Sequence, residues 1–303
     1  MRSTGRYWNK AGPMNNPQGR AGSTKVDTTK PALRLAFGDF ENWEQDIRKN
    51  LDARYTASFV DLSQIRLQEF DAVIPLQLHH YAPLLRYPTL RGVKFFHPPP
   101  QVVALCDDKL RLAEFLIAEG FAQHVPRLRC SGASYPYVWK KRHGWWGMHC
   151  HIVNQPEQEH GLDLADPEWF AQDFVPGEVE YATHILRVNG EIRYASTFVH
   201  RMATSSYVNG AQDTPLRSNM FHGCQYLNLF SDILERLNFE GTACIDYKVV
   251  DGRPVLFEIN PRFGGSLCAD VTAYVDAYLK SLARPGLLTT LAGLSRRLVA
   301  KLR

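Results

Sequence analysis

Three oxygen-bearing side chains near the carboxyl end of the chain have the types and spacing of a cation site. Asp246 lies in the apolar run TACIDYKVV, and Glu258 and Asn260 lie in the following run RPVLFEIN. Asp251 and Gly252 between the runs predict a hairpin, and Glu258 and Asn260 share a face of its second strand because strand side chains alternate. Carboxylate and amide oxygens are the ligands that Mg²⁺ prefers in proteins.

The face that Asp246 occupies depends on the length of the turn. A two-residue turn would pair Asp246 with Phe257 and point its carboxylate away from the other two ligands. A three-residue loop that ends on a left-handed Gly252 would pair Asp246 with Leu256, and we expect this longer loop because it brings all three ligands to one face. The alternative is an ordinary hairpin with polar surface residues, since short motifs often match by chance.

Arg262 follows Asn260 by two residues and adds a fixed positive charge near the same face. A guanidinium there can neutralise charge on a transferring phosphoryl group or on an acyl phosphate. Gly264 and Gly265 give the backbone freedom to turn close to a ligand. This combination favours phosphate chemistry over the ordinary hairpin.

The segment FEINPRFGG, with an aspartate twelve residues before its glutamate, resembles the metal-binding signature of the ATP-grasp superfamily. The E-I-N-P-R form is most similar to the carbamoyl-phosphate-synthase-like and carboxylate-amine ligase branch, and the resemblance extends over roughly residues 95 to 280. It implies an α/β (α+β) ATP-grasp fold, in which two α+β lobes grip ATP after a short α/β pre-grasp domain. It also implies Mg, or Mn, held by Asp246, Glu258 and Asn260, with Arg262 as the catalytic residue.

The same resemblance implies a set of nucleotide-binding residues earlier in the chain. Lys109 in CDDK and Lys140 in YPYVWKK match the two phosphate-binding lysines of the family. Gly144 and Gly147 match its glycine-rich flap. The neighbouring tryptophans at 145 and 146 replace small residues, and they either cover the substrate or pack internally.

The segment AQDFVPGEVEY resembles the link between the two lobes that binds adenine through backbone groups. By this match Gln172, Asp173 and Val175 lie along the adenine edge, and Glu180 holds the ribose hydroxyls. Glu178 competes with Glu180 for the ribose role.

Family membership implies that ATP phosphorylates a small-molecule carboxylate, after which an amine or other nucleophile displaces phosphate. Three other readings stay open. The chain could bind ATP as a regulatory module without turnover, or use its basic tails to dock on a partner, or perform bicarbonate or carbamate chemistry.

Composition and periodicity set off the tails, and the ATP-grasp resemblance implies the division of the rest, which gives five parts. The expected parts are a disordered basic tail (1–30), a short pre-ATP-grasp α/β domain (31–100), an ATP-grasp small lobe with the flap (101–175), a large lobe with the metal site (176–283) and a basic C-terminal helix or tail (284–303). Within the small lobe, a helix is expected to begin at Asp107, capped by its carboxylate, and to stop at Gly120.

The bulk composition limits the classes of partner. The net charge of +4 comes from the two tails, so we expect no nucleic-acid surface on the folded part. No run approaches the roughly 18 apolar residues of a membrane span, so no transmembrane segment and a cytoplasmic location are expected. Six scattered cysteines without a CxxC pair suggest reduced thiols. A homodimer is compatible with these features.

Overall fold

The computed structural model describes residues 32–87, 94–129 and 134–283. The predicted tails at 1–30 and 284–303 lie outside these residues. Among the described helices, none has the length and apolar character needed to span a bilayer.

The N-terminal region alternates strands and helices, as its apolar runs predict. Three parallel strands form a sheet in the order β2-β1-β3. Its elements are β1 (Leu33–Gly38), α1 (Glu41–Asn50), β2 (Tyr55–Val60), β3 (Ala72–Ile74) and the short α2 (Tyr81–Leu84). Parallel strands need crossover connections, and α1 supplies the first one.

A second, antiparallel sheet has the order β4-β7-β5-β6 and is preceded by two helices. The elements are α3 (Pro100–Asp107), α4 (Lys109–Leu116), β4 (Leu128–Arg129), β5 (Tyr137–Lys141), β6 (Cys150–Val153) and β7 (Trp169–Asp173). The segment between β5 and β6 is the predicted flap.

The helix predicted from Asp107 is wrong in its start and its cap. Helix α3 already begins at Pro100, because proline is favoured in the first turn of a helix, and it ends at Asp107. Asp108 has extended backbone angles and caps α4 instead, since its Oδ1 accepts the amide of Arg111 at 3.2 Å. Gly120, with φ of 89°, ends the helical segment as predicted.

The third sheet has five antiparallel strands in the order β10-β9-β8-β11-β12. The elements are β8 (Val179–Val188), β9 (Glu191–Arg201), β10 (Arg217–His222), α5 (Leu227–Arg236), β11 (Gly241–Val250), β12 (Arg253–Asn260) and α6 (Val271–Ala283). A short 3-10 helix, Gly265–Asp270, connects β12 to α6.

The hairpin of β11 and β12 differs from the expected three-residue loop. Its turn has two residues, Asp251 and Gly252, whose φ values of 49° and 76° suit a type I′ turn. The extra residue sits within the strand instead: the register pairs position 247 with 256 but 246 with 258, which leaves Phe257 in a bulge. Leu256 stays opposite Tyr247 on the back of the sheet, and the bulge brings Glu258 to the same face as Asp246.

One hydrophobic core joins the N-terminal sheet to the end of the third region. Phe37 and Trp43 belong to the same buried cluster as Phe263, Tyr274 and Tyr278. The ring of Phe263 lies 5.8 Å from that of Trp43 and 5.4 Å from that of Tyr274. The segment after β12 is therefore held by side chains from both regions.

Replacing Phe263 with alanine is expected to lower the free energy of unfolding by about 3–5 kcal/mol, because a fully buried aromatic side chain leaves a cavity between two regions. Urea denaturation followed by circular dichroism measures this change. Phe221→Ala is the matched control, since Phe221 is 44% exposed and its loss should change stability by less than about 1 kcal/mol. Equal losses in both variants would contradict the shared core.

Candidate functional site

The bulged hairpin brings the three predicted metal ligands together. Asp246 lies directly opposite Glu258 in the register of β11 and β12. The Asn260 side-chain amide donates to Asp246 Oδ2 at 3.0 Å and to Glu258 Oε1 at 2.9 Å. The one-face arrangement expected from the sequence is therefore present, although a strand bulge produces it instead of a longer turn.

The electrostatics of the hairpin show an excess of negative charge. Burial, followed by the negative charges of Glu258 and Glu180, raises the pKa of Asp246 well above its usual value. Burial also acts to raise the pKa of Glu258, but Lys109 and the Asn260 amide outweigh it and hold that pKa below its usual range. Lys109 Nζ lies 3.2 Å from Glu258 Oε2.

These residues fit a hard divalent cation. No cluster of three or more His, Cys, Asp or Glu side chains suited to a metal occurs in the described part of the chain. The set here is the carboxylates of Asp246 and Glu258 and the side-chain amide of Asn260. Rotation of this amide about χ2 exchanges its nitrogen for Oδ1, which then faces the two carboxylates as a third oxygen ligand. Oxygen-only ligands that leave coordination positions open for phosphate are typical of Mg²⁺ sites.

Two lysines reach β12 from separate elements. Lys109 is the first residue of α4, and its Nζ donates to the Gly144 carbonyl of the flap as well as pairing with Glu258. Lys140 on β5 is buried, and its Nζ donates to the carbonyl of Phe257 at 3.3 Å. The bulge at Phe257 therefore also places an acceptor for Lys140.

The pKa of Lys140 is lowered to about 8, chiefly by burial. We expect the dissociation constant of ATP to rise about fivefold between pH 8 and pH 9, because the ammonium that would bind phosphate loses its proton there. Calorimetric titration across this pH range measures the change. Lys248 has a similar pKa and could contribute to the same pH dependence. Lys140→Arg stays charged across this range, so the pH dependence that it removes is the part due to Lys140. If wild-type affinity does not change, or if Lys140→Arg retains the full pH dependence, the assignment of Lys140 to phosphate fails.

The flap packs against the loop that follows β9. A Cβ atom on Gly147 would lie 2.7 Å from the Asn209 carbonyl oxygen, so only glycine fits this approach. The Ala211 amide donates to the carbonyl of Trp146 at 2.9 Å, and Gln212 Nε2 donates to the carbonyl of Gly147 at 2.8 Å. Trp145 is 66% exposed. Of the two tryptophans, the one at 146 is therefore engaged by this loop.

The predicted adenine link begins in the last residues of β7, and its three named residues have different environments. Gln172 is buried beside Lys109 in a cleft between α4 and β12. The Asp173 carboxylate pairs with two arginines, at 127 (3.3 Å) and at 129. The carbonyl of Val175 accepts a hydrogen bond from Lys248 Nζ at 3.0 Å. The carboxylate of Asp173 is thus already paired, Gln172 lines the cleft, and the carbonyl of Val175 is held by Lys248.

Lys248 lies on the same face of β11 as the predicted metal ligand Asp246, although no motif in the sequence marks it. It is buried, and its Nζ lies 4.0 Å from the centroid of the Tyr207 ring. Burial lowers its pKa to about 8, while the negative charge of Glu180 opposes this shift. Strand alternation from Asp246 was the available signal, because Lys248 is two residues further along β11 and shares its face.

The structure distinguishes the two glutamates that compete for the ribose role. Glu180 accepts a hydrogen bond from Asn209 Nδ2 at 2.7 Å, and burial raises its pKa. Glu178 is exposed and lies 3.5 Å from Arg201 Nη1. Of the two, Glu180 is therefore the one near Lys248 and Glu258. Both of these residues belong to the hairpin of β11 and β12 that carries the predicted metal ligands, called the metal hairpin below.

We expect Glu180→Gln to raise the Michaelis constant for ATP about 10- to 30-fold, because the predicted contact with the ribose hydroxyls would lose a charged acceptor. Glu178→Gln is expected to change it less than about twofold, since the exposed pair with Arg201 contributes little. Initial rates at varied ATP concentration measure both constants. A larger effect at Glu178 would reverse the assignment.

Arg262 lies at the end of the ligand set, next to the N-terminal region. Its Nη2 is 3.4 Å from Asn260 Oδ1, and its Nη1 donates to the carbonyl of Phe263 at 2.8 Å. Its guanidinium carbon lies 5.7 Å from the centroid of the Trp43 ring. The Tyr81 hydroxyl donates to the carbonyl of Pro261 at 2.9 Å. Helices α1 and α2 therefore help to position this loop.

Two α+β lobes around a cleft, with the β11–β12 hairpin contributing to its lining, define the class of protein to which this chain belongs. A family model described as ATP-grasp domain matches residues 106–266, which is more than half of the chain. The protein is a member of the ATP-grasp family. Among curated protein sequences, the comparison finds no significant match.

Several solved structures have a similar fold. D-alanine–D-alanine ligase from Bacillus anthracis is 16% identical with a TM-score of 0.54, and the match covers 84% of this chain and 98% of that one. L-amino acid ligase from Bacillus licheniformis is 17% identical with a TM-score of 0.51, over 80% and 70% of the two chains. Biotin carboxylase from Campylobacter jejuni is 12% identical with a TM-score of 0.51, over 82% and 70%. At these identities the similarity concerns the fold.

Proposed function

We propose that the protein is an ATP-dependent ligase that activates a carboxylate as an acyl phosphate and transfers the acyl group to an amine or other nucleophile. The observation that supports this most is the placement of Asp246, Glu258 and Asn260 on one face, with Lys109 and Arg262 at its edges. Two carboxylates, an amide and two fixed cations suit a polyphosphate with its metal.

The proposed reaction has two steps. A carboxylate oxygen of the substrate attacks the γ-phosphorus of ATP, the bond to the β-phosphate oxygen breaks, and ADP leaves. The lone pair of the nucleophile then attacks the acyl carbon, phosphate leaves with the bonding electron pair, and the nucleophile loses its proton. ATP supplies the leaving group that a free carboxylate lacks at neutral pH.

In this proposal each group of residues in the cleft has a separate role in binding or catalysis. A Mg²⁺ ion bound to Asp246, Glu258 and Asn260 would supply charge neutralisation between the phosphates. Lys109 and Lys140 bind phosphate oxygens. Arg262 steadies the developing charge on the acyl phosphate, since a planar guanidinium donates two hydrogen bonds in a fixed geometry.

The remaining assignments concern the nucleotide. Gln172, Asp173 and Val175 border the adenine, with Asp173 contributing through its backbone because its side chain is paired. Glu180 binds the ribose hydroxyls in place of Asn209. The flap closes over the phosphates, with Gly144 and Gly147 as its flexible positions.

We also propose that the parts of the chain keep the roles expected from the sequence. Residues 101–175 and 176–283 are the two lobes of the grasp, and residues 31–100 help to select the substrate. Contacts of Trp43 with Arg262 and of Tyr81 with Pro261 support this, because they bring the N-terminal region to the end of the metal hairpin.

ADP release from Mg-ATP, measured against a panel of small carboxylates paired with amines, tests the proposal. We expect release that depends on a particular carboxylate and is lost in Glu258→Ala but retained in the exposed control Glu178→Ala. Tight ATP binding without turnover under every pairing would instead indicate a regulatory module. Release that needs only bicarbonate would indicate carbamate-type chemistry.

A further inference from the structure

A row of polar side chains crosses the whole five-stranded sheet, beginning at the metal hairpin. The strand registers place Asn260 opposite Cys244, Cys244 opposite His184, His184 opposite Ser196, and Ser196 opposite His222. Directly opposed residues of antiparallel strands project from the same face. The face that holds the metal ligands therefore continues to a second polar group at β9 and β10.

That second group is centred on Asp270, the last residue of the 3-10 helix after β12. The Tyr194 hydroxyl donates to Asp270 Oδ2 at 2.5 Å, and it accepts from Ser196 Oγ at 2.7 Å because a tyrosine has a single hydroxyl proton. His222 Nδ1 lies 3.4 Å from the same carboxylate oxygen. One oxygen of Asp270 is thus contacted by both Tyr194 and His222.

The carboxylate of Asp270 has no strong cation beside it. Its side chain is only 11% exposed, and across residues 32–87, 94–129 and 134–283 no lysine or arginine forms an ion pair with it. Its basic partner, His222, has a side chain that is 65% exposed. Burial raises the pKa of Asp270, as expected for an anion that is poorly compensated. A largely buried carboxylate of this kind is complementary to an ammonium group.

The spacing along the row limits the length of a molecule that joins the two groups. Three strand spacings separate Asn260 on β12 from Ser196 on β9, which is about 14 Å. A contact of about 3 Å at each end of this row leaves about 8 Å, which sets the approximate length of the ligand because the Tyr194 hydroxyl joins Ser196 to Asp270. Two residues of extended peptide span about 7 Å.

The middle of the row is covered, so such a ligand must pass along the 3-10 helix. Ser266, near the start of this helix, has its Oγ 2.7 Å from His184 Nε2. Ala269 packs on the cluster that contains Phe198. The helix therefore connects the loop of Arg262 at one end with Asp270 at the other.

We propose that Asp270, with Tyr194 and His222, binds the ammonium group of the substrate whose carboxylate is activated at the metal hairpin. The substrate class is then a dipeptide or an amino acid with its ammonium about 8 Å from the reacting carboxylate. This assignment rests on the proposed ligase function for the position of the carboxylate.

Calorimetric titration of the full-length protein with Mg²⁺ and a non-hydrolysable ATP analogue tests the site directly. The probes are 6-aminohexanoate, glycylglycine and, without the amine, hexanoate. We expect at least one amino compound to bind about tenfold or more tightly than hexanoate, and Asp270→Asn to abolish this preference while the affinity for the nucleotide analogue stays unchanged. Asp232→Asn, the same charge change at an exposed position of α5, should behave as wild type.

The outcomes separate this inference from the ligase proposal. Equal affinities for amino and plain carboxylates, no binding of either amino probe, or an undiminished preference in Asp270→Asn would overturn the ammonium site. Parallel ADP assays address the ligase proposal: binding through Asp270 without ADP release with any nucleophile would overturn that proposal alone. Turnover of hexanoate and 6-aminohexanoate with equal kcat/KM would overturn the ammonium site alone.

Discussion

Replacing Glu258 with glutamine is expected to reduce ADP release from Mg-ATP by about 10³-fold or more, with the protein still folded. The substitution keeps the shape of the side chain but removes the charge that faces Asp246 and pairs with Lys109 at 3.2 Å. A cation site of two carboxylates and an amide would lose half of its formal negative charge. Lys109 would also lose the partner that orients its ammonium towards the hairpin.

Steady-state assays at saturating ATP with titrated Mg²⁺ measure this effect, and Glu178→Gln serves as the control for a glutamate outside the cleft. The control should keep at least about half of wild-type activity, because its exposed pair with Arg201 contributes little. We also expect Glu258→Gln to need a higher Mg²⁺ concentration. Wild-type turnover and Mg²⁺ dependence in Glu258→Gln would show that the hairpin is not the metal site.

The second large effect is expected at Arg262, where alanine should lower kcat by about 10²- to 10³-fold while changing the Michaelis constant for ATP less than about threefold. Its Nη2 lies 3.4 Å from Asn260 Oδ1, beyond the metal ligands and away from the adenine link. A donor at this place stabilises the transferring group more than the bound nucleotide.

Arg262→Lys is the sharper variant because it keeps the charge but loses the planar pair of donors. We expect it to restore no more than about a tenth of wild-type kcat. Arg201→Ala, which removes an exposed guanidinium from β9, is the matched control and should leave kcat unchanged. If Arg262→Ala instead raised the Michaelis constant for ATP with kcat intact, Arg262 would be a nucleotide ligand.

The sequence alone determined the elements with strong local signals. Asn189 and Gly190 predict a tight turn, and the structure has the β8–β9 hairpin there with φ values of 55° and 78°. Sequence patterns over residues 41–51, 225–237 and 271–282 likewise predict helices, and the structure has α1, α5 and α6 there. These features depend on residues that are close to each other in the sequence, where apolar periodicity and turn-forming residues determine the local structure directly.

The sequence also determined the family, because Asp246, Glu258, Asn260 and Arg262 lie within seventeen residues of each other on one hairpin and its following loop. Their spacing is local, so it can be read without knowing the fold. The roles assigned to individual residues stay predictions that the proposed experiments test.

Only the tertiary structure decided how the site is assembled. The two-residue turn alone would have turned Asp246 away from Glu258. The bulge at Phe257 brings the two carboxylates to one face, pairs Ile259 with Ile245 in the buried cluster and leaves the Phe257 carbonyl to Lys140. Pairings of Lys248 with Val175 and of Tyr194 with Asp270 join residues more than seventy positions apart. Such contacts depend on strand order and register, which burial across the whole sheet sets and no local pattern contains.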